Sequence, residues 1–217
     1  MAVYDLEEQE QIDELKAWWN KWGNLITSIA VACAVASVGW QGWKWYQRQQ
    51  SAEAAGLFAV VEKAAAAGDA AAAREATGKI VGEYGGTPYA TLASLRSAKI
   101  QADAGETDNA ALPLEWVMKH GDLPAVRDIA RLRLAAVRLN AGDAAAAESL
   151  LTDPVDETLM VRYNDLRGDA LVAAGKPAEA RAAYEAAIES LNASPVVGDR
   201  SIEIIRLKRD ALAGGAQ

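Results

Sequence analysis

The chain has 217 residues and a formal net charge of −8, with 22 basic side chains against 30 acidic ones. That balance argues against a nucleic-acid partner, because phosphate contacts need clustered lysine and arginine. One cysteine, Cys33, and one histidine, His120, leave little material for a Cys/His metal centre, and a thiol-poor chain suits an oxidising compartment as well as the cytosol.

Taken in chain order, residues 1–21 come first, with six acids (Asp5, Glu7, Glu8, Glu10, Asp13, Glu14) against Lys16 and Lys21. Ile12, Leu15, Trp18 or Trp19, and Trp22 recur at helical spacing, which predicts an acidic amphipathic segment running into the next element. Membrane-surface helices usually carry Lys and Arg on the polar face. Anionic lipid should repel this one, so a basic protein surface is its natural neighbour.

Next come 22 residues, 22–43, without a charge. Six of the seven tryptophans (Trp18, Trp19, Trp22, Trp40, Trp43, Trp45) flank or close this run. From Trp22 to Trp40 a helix rises about 27 Å, close to the roughly 30 Å of hydrocarbon a spanning helix must cross. Tryptophan prefers the headgroup level, where its ring is half dry and its N–H stays wet. The two clusters read as aromatic belts, and residues 22–45 as a transmembrane helix with those six tryptophans at the membrane interface. A cleaved signal peptide is the rival, since Ala34-Val35-Ala36 has the small-x-small form of a cleavage site, but its leading flank should be basic rather than acidic. Cys33 lacks the large apolar residue that a lipobox places before it. Gly39, Ala32 and Ala36 would also suit a helix partner in the bilayer. Lys16 and Lys21 before the span balance Lys44 and Arg48 after it, so charge does not decide the orientation.

Beyond Gln50 the sequence is alanine-rich with regular glycine breaks: A-G-D at 67–69, A-G-E at 104–106, A-G-D at 141–143 and A-G-K at 174–176. Gly68, Gly105, Gly142 and Gly175 are 37, 37 and 33 residues apart. Five residues after each stands an alanine (Ala73, Ala110, Ala147, Ala180), and seven before each a small or apolar residue (Val61, Ala98, Ala135, Gly168). Each unit reads as helix, tight turn, helix, with the glycine left-handed at the end of the first helix and the alanine allowing close approach. Pro88, Pro124 and Pro154 fall between units, where helices should stop. Such hairpins bury their apolar faces only by stacking. The expected fold is all-α: an N-terminal transmembrane helix followed by an α-solenoid. Residues 51–213 would hold four hairpins and a capping helix, S-I-E-I-I-R-L-K-R-D-A-L at 201–212. The units resemble tetratricopeptide repeats, best in the last, where Gly168, Leu171, Gly175, Ala180, Tyr184 and Ala187 match the motif. The first three lack its large aromatic in the first helix.

No catalytic constellation stands out, and neither an enzyme nor a cofactor is expected. His120, near a helix C-terminus, needs no further role. Gly168 to Lys176 has the wrong spacing for a phosphate loop, and Pro177 replaces the magnesium-holding hydroxyl. One charged feature remains. Arg127, Arg131 and Arg138 fall within about 40° on one helix face, in the first helix of a unit, which in stacked hairpins lines the concave surface. They form either a solvated stripe or a clamp for acidic groups on a partner.

The acidic stretch Glu7 to Lys16, Gly39-Trp40 with Trp43, the degenerate repeats and the closing I-I-R-L-K-R-D-A-L together resemble the YfgM-like ancillary subunits of the SecYEG translocon of Gram-negative bacteria. The resemblance covers nearly the whole chain. It implies a single-pass inner-membrane protein with a cytoplasmic N-terminus and a periplasmic repeat domain. The implied partners are SecYEG, the membrane-anchored periplasmic chaperone PpiD, and unfolded secreted or outer-membrane polypeptides leaving the channel. An envelope scaffold for another complex, and a membrane-tethered cytoplasmic regulator of a signalling protein, remain open from the residues alone.

Overall fold

In the computed structural model, residues 2–153, 155–193 and 199–214 are described, without the side chains of 2–10, 193, 199–201, 213 and 214. The acids of the N-terminal segment up to Glu10 therefore lie outside the described side chains, and Pro154 lies outside the described residues. The chain forms two compact units, residues 1–50 and 51–217.

The first unit is helical. Helix α1 is assigned from Ala2 to Ala67, and its residues from Ser51 on belong to the second unit. The chain has no proline before Pro88, so nothing in α1 removes a backbone donor. Its hydroxyls are satisfied within the helix. Thr27 donates to the Gly23 carbonyl at 2.8 Å, Ser28 to Asn24 at 2.7 Å and Ser37 to Cys33 at 2.8 Å. A polar group at hydrocarbon depth has to be closed off in this way. The apolar residues are not covered by this chain: Val31, Val35 and Val38 are all exposed, as are the six tryptophans. Lys21 stands over the Trp22 ring at 5.8 Å and Lys44 over Trp40 at 5.3 Å, a cation–π contact at each end of the uncharged run.

The second unit repeats one joint four times. The end of α1 pairs with α2 (Ala70–Tyr84), and α3 (Pro88–Asp103) with α4 (Thr107–His120). The third pair is α5 (Pro124–Asn140) and α6 (Ala144–Leu150), and the fourth is α7 (Met160–Ala173) and α8 (Pro177–Ala193); α9 (Asp199–Gly214) follows. Each first helix ends at its glycine, with φ of 67° at Gly68, 78° at Gly105, 82° at Gly142 and 73° at Gly175. The residue after each glycine donates its N–H to the carbonyl five residues back: Asp69 to Ala64, Glu106 to Gln101, Asp143 to Arg138 and Lys176 to Leu171, all at 2.8–2.9 Å. These are Schellman turns, and only glycine adopts that conformation without strain. Asp69 and Asp143 then cap the next helix by accepting from the N–H of Ala72 and Ala146.

Ala73, Ala110, Ala147 and Ala180 are all fully buried, and so are Val61 and Ala135, with Ala98 nearly so. At Gly168 the approach is tighter still, because a Cβ there would run into the Tyr184 ring. Pro88, Pro124 and Pro177 open α3, α5 and α8, where the missing N–H costs nothing. The third unit is the odd one. Its second helix has only seven residues, and a 3-10 turn (Glu157–Leu159) leads into α7. Asp153 precedes a proline, a position biased away from helix. The buried Tyr163 phenol holds this segment by donating to the Leu151 carbonyl at 2.5 Å. Within the unit the apolar clusters succeed one another in chain order, with Trp116 touching the first and second and Leu150 the second and third.

Candidate partner-binding surfaces

First helices of successive hairpins frame a cavity of about 590 Å³. Leu132, Ala136 and Val137 of α5 make part of its wall, Lys99 and Asp103 come from α3, and Arg162 from α7. The charges at its edge are mostly paired. Lys99 binds Asp103 at 2.8 Å and Arg162 binds Asp165 at 3.6 Å. Arg133 donates to the Leu95 carbonyl at 3.4 Å. The lining suits an apolar segment with a polar edge, and offers no nucleophile beside a base.

The three arginines singled out from the sequence do not line this cavity. At 100° per residue they sit roughly opposite Ile129, Arg133 and Ala136 on α5. Arg127 donates to the Gly121 carbonyl at 2.9 Å. Arg131 binds Asp128 at 3.0 Å and lies 3.9 Å from Asp153, with only 13% of its side chain exposed. Arg138 reaches Glu115 at 3.3 Å and Asp108 at 3.6 Å on α4, and is 29% exposed. Asp128 in turn accepts the N–H of Asp156 at 3.2 Å. The stripe thus ties α5 to α4 and to the segment after α6.

A second charged cluster, which sequence reasoning missed, fastens α9. Lys208 binds Asp165 at 2.7 Å and Asp169 at 2.8 Å, both on α7, and lies 5.7 Å from the centre of the Tyr184 ring. The Tyr184 phenol donates to Asp169 at 2.8 Å. Burial first, and then that hydrogen bond, push the Tyr184 phenol far above its ordinary value. Burial works against the charge on Lys208, but its bonds to Asp165 and Asp169 outweigh it and hold the ammonium above the usual lysine range. The signal in the sequence was Lys208 itself, a cation on the inner side of a capping helix whose Ile205 is buried. His120 stacks on Trp116, ring centres 5.0 Å apart, with its Nδ1 3.0 Å from the Trp116 carbonyl. Among the described residues no cluster of three His, Cys, Asp or Glu is placed to hold a metal ion.

This architecture, hairpins joined by a repeated glycine turn and stacked through small residues, defines a helical repeat protein. The sequence profile of the tetratricopeptide repeat-like domain matches residues 16–214, and the chain belongs to that family. Several relatives are named ancillary SecYEG translocon subunit. The one from Neisseria gonorrhoeae is 28% identical over 98% of this chain and 100% of its own length. The Escherichia coli protein is 29% identical over 88% of this chain and 91% of its own, and that of Haemophilus influenzae 27% over 87% and 92%. No solved structure matches the chain. Near the N-terminus, the described residues include one helix long and apolar enough to cross a membrane.

Proposed function

We propose that the protein is a membrane-anchored, non-catalytic ancillary subunit of the SecYEG translocon. On this reading residues 22–45 span the inner membrane, with Trp18, Trp19, Trp22, Trp40, Trp43 and Trp45 at its two faces. Residues 1–21 lie in the cytoplasm and the repeat domain, 51–213, in the periplasm. The observation that carries the proposal is the extent of the likeness. The relatives so named match over 87–98% of this chain, and the Neisseria gonorrhoeae protein, at 98%, spans the uncovered apolar helix and the repeats together. A tetratricopeptide-like repeat domain acting as an adaptor works through affinity, and confinement beside a channel raises the effective concentration of a weak site. The partners that fit are SecYEG, a PpiD-like periplasmic chaperone, and unfolded secreted or outer-membrane polypeptides at the channel exit. Within the repeat domain, the cavity across α3, α5 and α7 is the favoured face for a polypeptide. Arg131 and Arg138 serve a partner only by exchanging carboxylates they already hold, and Arg127 only by leaving the Gly121 carbonyl.

Photo-crosslinkers placed along residues 11–21 and around the cavity, followed by identification of the captured proteins, test this directly. Translocon subunits from the first set and a chaperone or nascent secreted chains from the second are expected. Capture of a different envelope complex, with no translocon component, would overturn the proposal. A C-terminal reporter active only outside the cytoplasm checks the orientation independently.

A further inference from the structure

All 30 acids of the chain fall outside residues 15–52, where Lys16, Lys21, Lys44 and Arg48 are the only charges. A protein of net charge −8 thus keeps carboxylates clear of both ends of its apolar run. The two ends differ in what their cations do. Every Cα–Cβ bond of a helix tilts toward the N-terminus, so Lys16 and Lys21 lean away from the run, whereas Lys44 and Arg48 lean back onto it. Lys16 is held by Asp13 at 3.0 Å, and Lys21 stays over the neighbouring Trp22 ring at 5.8 Å. Lys44 reaches back one turn over Trp40, 5.3 Å from the ring centre. Lys44 and Arg48 are exposed and form no ion pair among the described residues. The first acid beyond them, Glu53, accepts from the Tyr84 phenol at 2.9 Å. Trp40, Lys44 and Arg48 stand at i, i+4 and i+8, so one face of α1 carries an indole and two cations in successive turns.

We propose that this face, at the end of the span that leads into the repeat domain, binds the headgroup of an anionic phospholipid. The inference rests on the reading of residues 22–45 as a membrane span. On that reading Trp40 sits at the hydrocarbon edge, and Lys44 and Arg48 stand about 6 Å and about 12 Å beyond it along the axis. The headgroup layer is roughly 5–8 Å deep on each side, and long cationic side chains leaning back reach it. A phosphate ester offers only acceptors there, and an ammonium beside a guanidinium offers only donors. Net charge then selects the lipid. A zwitterionic headgroup brings an ammonium of its own, and residues 15–52 hold no carboxylate to receive it. An anionic headgroup brings none, and each cation near the membrane surface favours it by about 5-fold. The other end of the span is the weaker one, since Lys16 is already paired and the six acids of residues 1–21 repel such a lipid.

The test is photo-crosslinking of the full chain in nanodiscs of equimolar phosphatidylglycerol and phosphatidylcholine. Benzoylphenylalanine replaces either Gln41, exposed on the proposed face, or Gly42, on the opposite face, where a Cβ meets nothing within 4 Å. Captured lipids are then identified by mass spectrometry. At Gln41 phosphatidylglycerol should be favoured by about 5-fold or more, and at Gly42 by less. Lys44→Gln combined with Arg48→Gln should bring the Gln41 ratio close to one, whereas Lys16→Gln with Lys21→Gln should leave it unchanged. Added salt should lower the ratio, because exposed charges are screened. Inorganic phosphate in place of chloride at equal ionic strength should not. Equal capture of the two lipids at Gln41, the same preference at Gly42, a preference that survives the Lys44 and Arg48 changes, or one lost to free phosphate would each overturn the proposal. Capture of neither lipid would remove the span and this site together, while capture without preference would remove the site alone. No translocon is present, so the outcome is independent of the translocon crosslinks.

Discussion

The two units use the same small residues to opposite ends. Alanines 30, 32, 34 and 36 of the first unit are exposed beside exposed valines, whereas Ala73, Ala110, Ala147 and Ala180 of the second are fully buried. Tryptophan divides the same way: six exposed rings in the first unit, and in the second Trp116, half-buried between two apolar clusters. Helix propensity is similar in both regions and explains neither outcome. What differs is the placement of charge and glycine. A run of 22 uncharged residues has no polar face to turn to water, and so suits lipid on every side. Regular glycine breaks fold the second region back on itself, so its small residues become contact points between helices.

Paired substitutions, one in each unit, break or sharpen this contrast. The largest effect is expected for Arg131→Glu, which sets a new carboxylate beside Asp128 and Asp153 at a site 13% exposed. Thermal or urea unfolding should register a loss of about 3–5 kcal/mol. Lys16→Glu, in a pair exposed on both sides, should change stability by less than about 0.5 kcal/mol. Next, Val35→Arg puts a charge at the middle of the apolar run, at a cost of about 3 kcal/mol for insertion. Carbonate washing should release a larger share of the chain. Val60→Arg, at a site 47% exposed in the second unit, should leave both retention and melting near wild type.

A third pair concerns volume. Ala147→Leu and Ala180→Leu overpack a closed helix contact and should each cost about 1–3 kcal/mol, read as a fall in melting temperature. Ala34→Leu has no neighbour in this chain to displace and should hold the membrane at least as well as wild type. The smallest effect belongs to the α9 fastening. Lys208→Met should cost about 1–2 kcal/mol, since Asp165 and Asp169 lose a charged donor that is itself partly exposed. The folded pKa of Lys208 is raised, so its contribution is complete below about pH 10 and is lost as pH climbs through and past the ordinary lysine value of about 10.4. The raised Tyr184 phenol acts in the same direction. Stability measured from pH 9 to 11.5 should fall, and Lys208→Met should flatten part of that fall. An unchanged slope in the variant would remove Lys208 from the account.

The joints of the fold were legible because their requirements are local. A helix ended by a left-handed residue needs glycine at one position, and a close crossing needs a small residue at another, so four A-G-x breaks with their alanines located every hairpin. The arginine stripe shows where local reading stops. Periodicity put Arg127, Arg131 and Arg138 on one face of α5, correctly, but which face meets the cavity depends on how α4 and the segment after α6 pack. Asp108 and Glu115, the partners of Arg138, and Asp153, beside Arg131, lie 22–30 residues away in sequence, beyond any helical repeat. The shortness of α6 was foreshadowed by Asp153 before proline, a signal read as a boundary between units without asking how soon the helix would end.

The chain-order succession of apolar clusters in the second unit bears on how it is made. Each cluster draws on one hairpin and its immediate neighbours, so no contact waits for residues far downstream. Sequence separation between touching groups stays small, which is the topology of rapid folding. A chain delivered a few residues at a time can close each hairpin on the previous one as soon as its second helix emerges, starting from the end of α1. The last step closes the array, when Lys208 on α9 finds Asp165 and Asp169 some 40 residues earlier, about the reach of the Arg133 bond to Leu95.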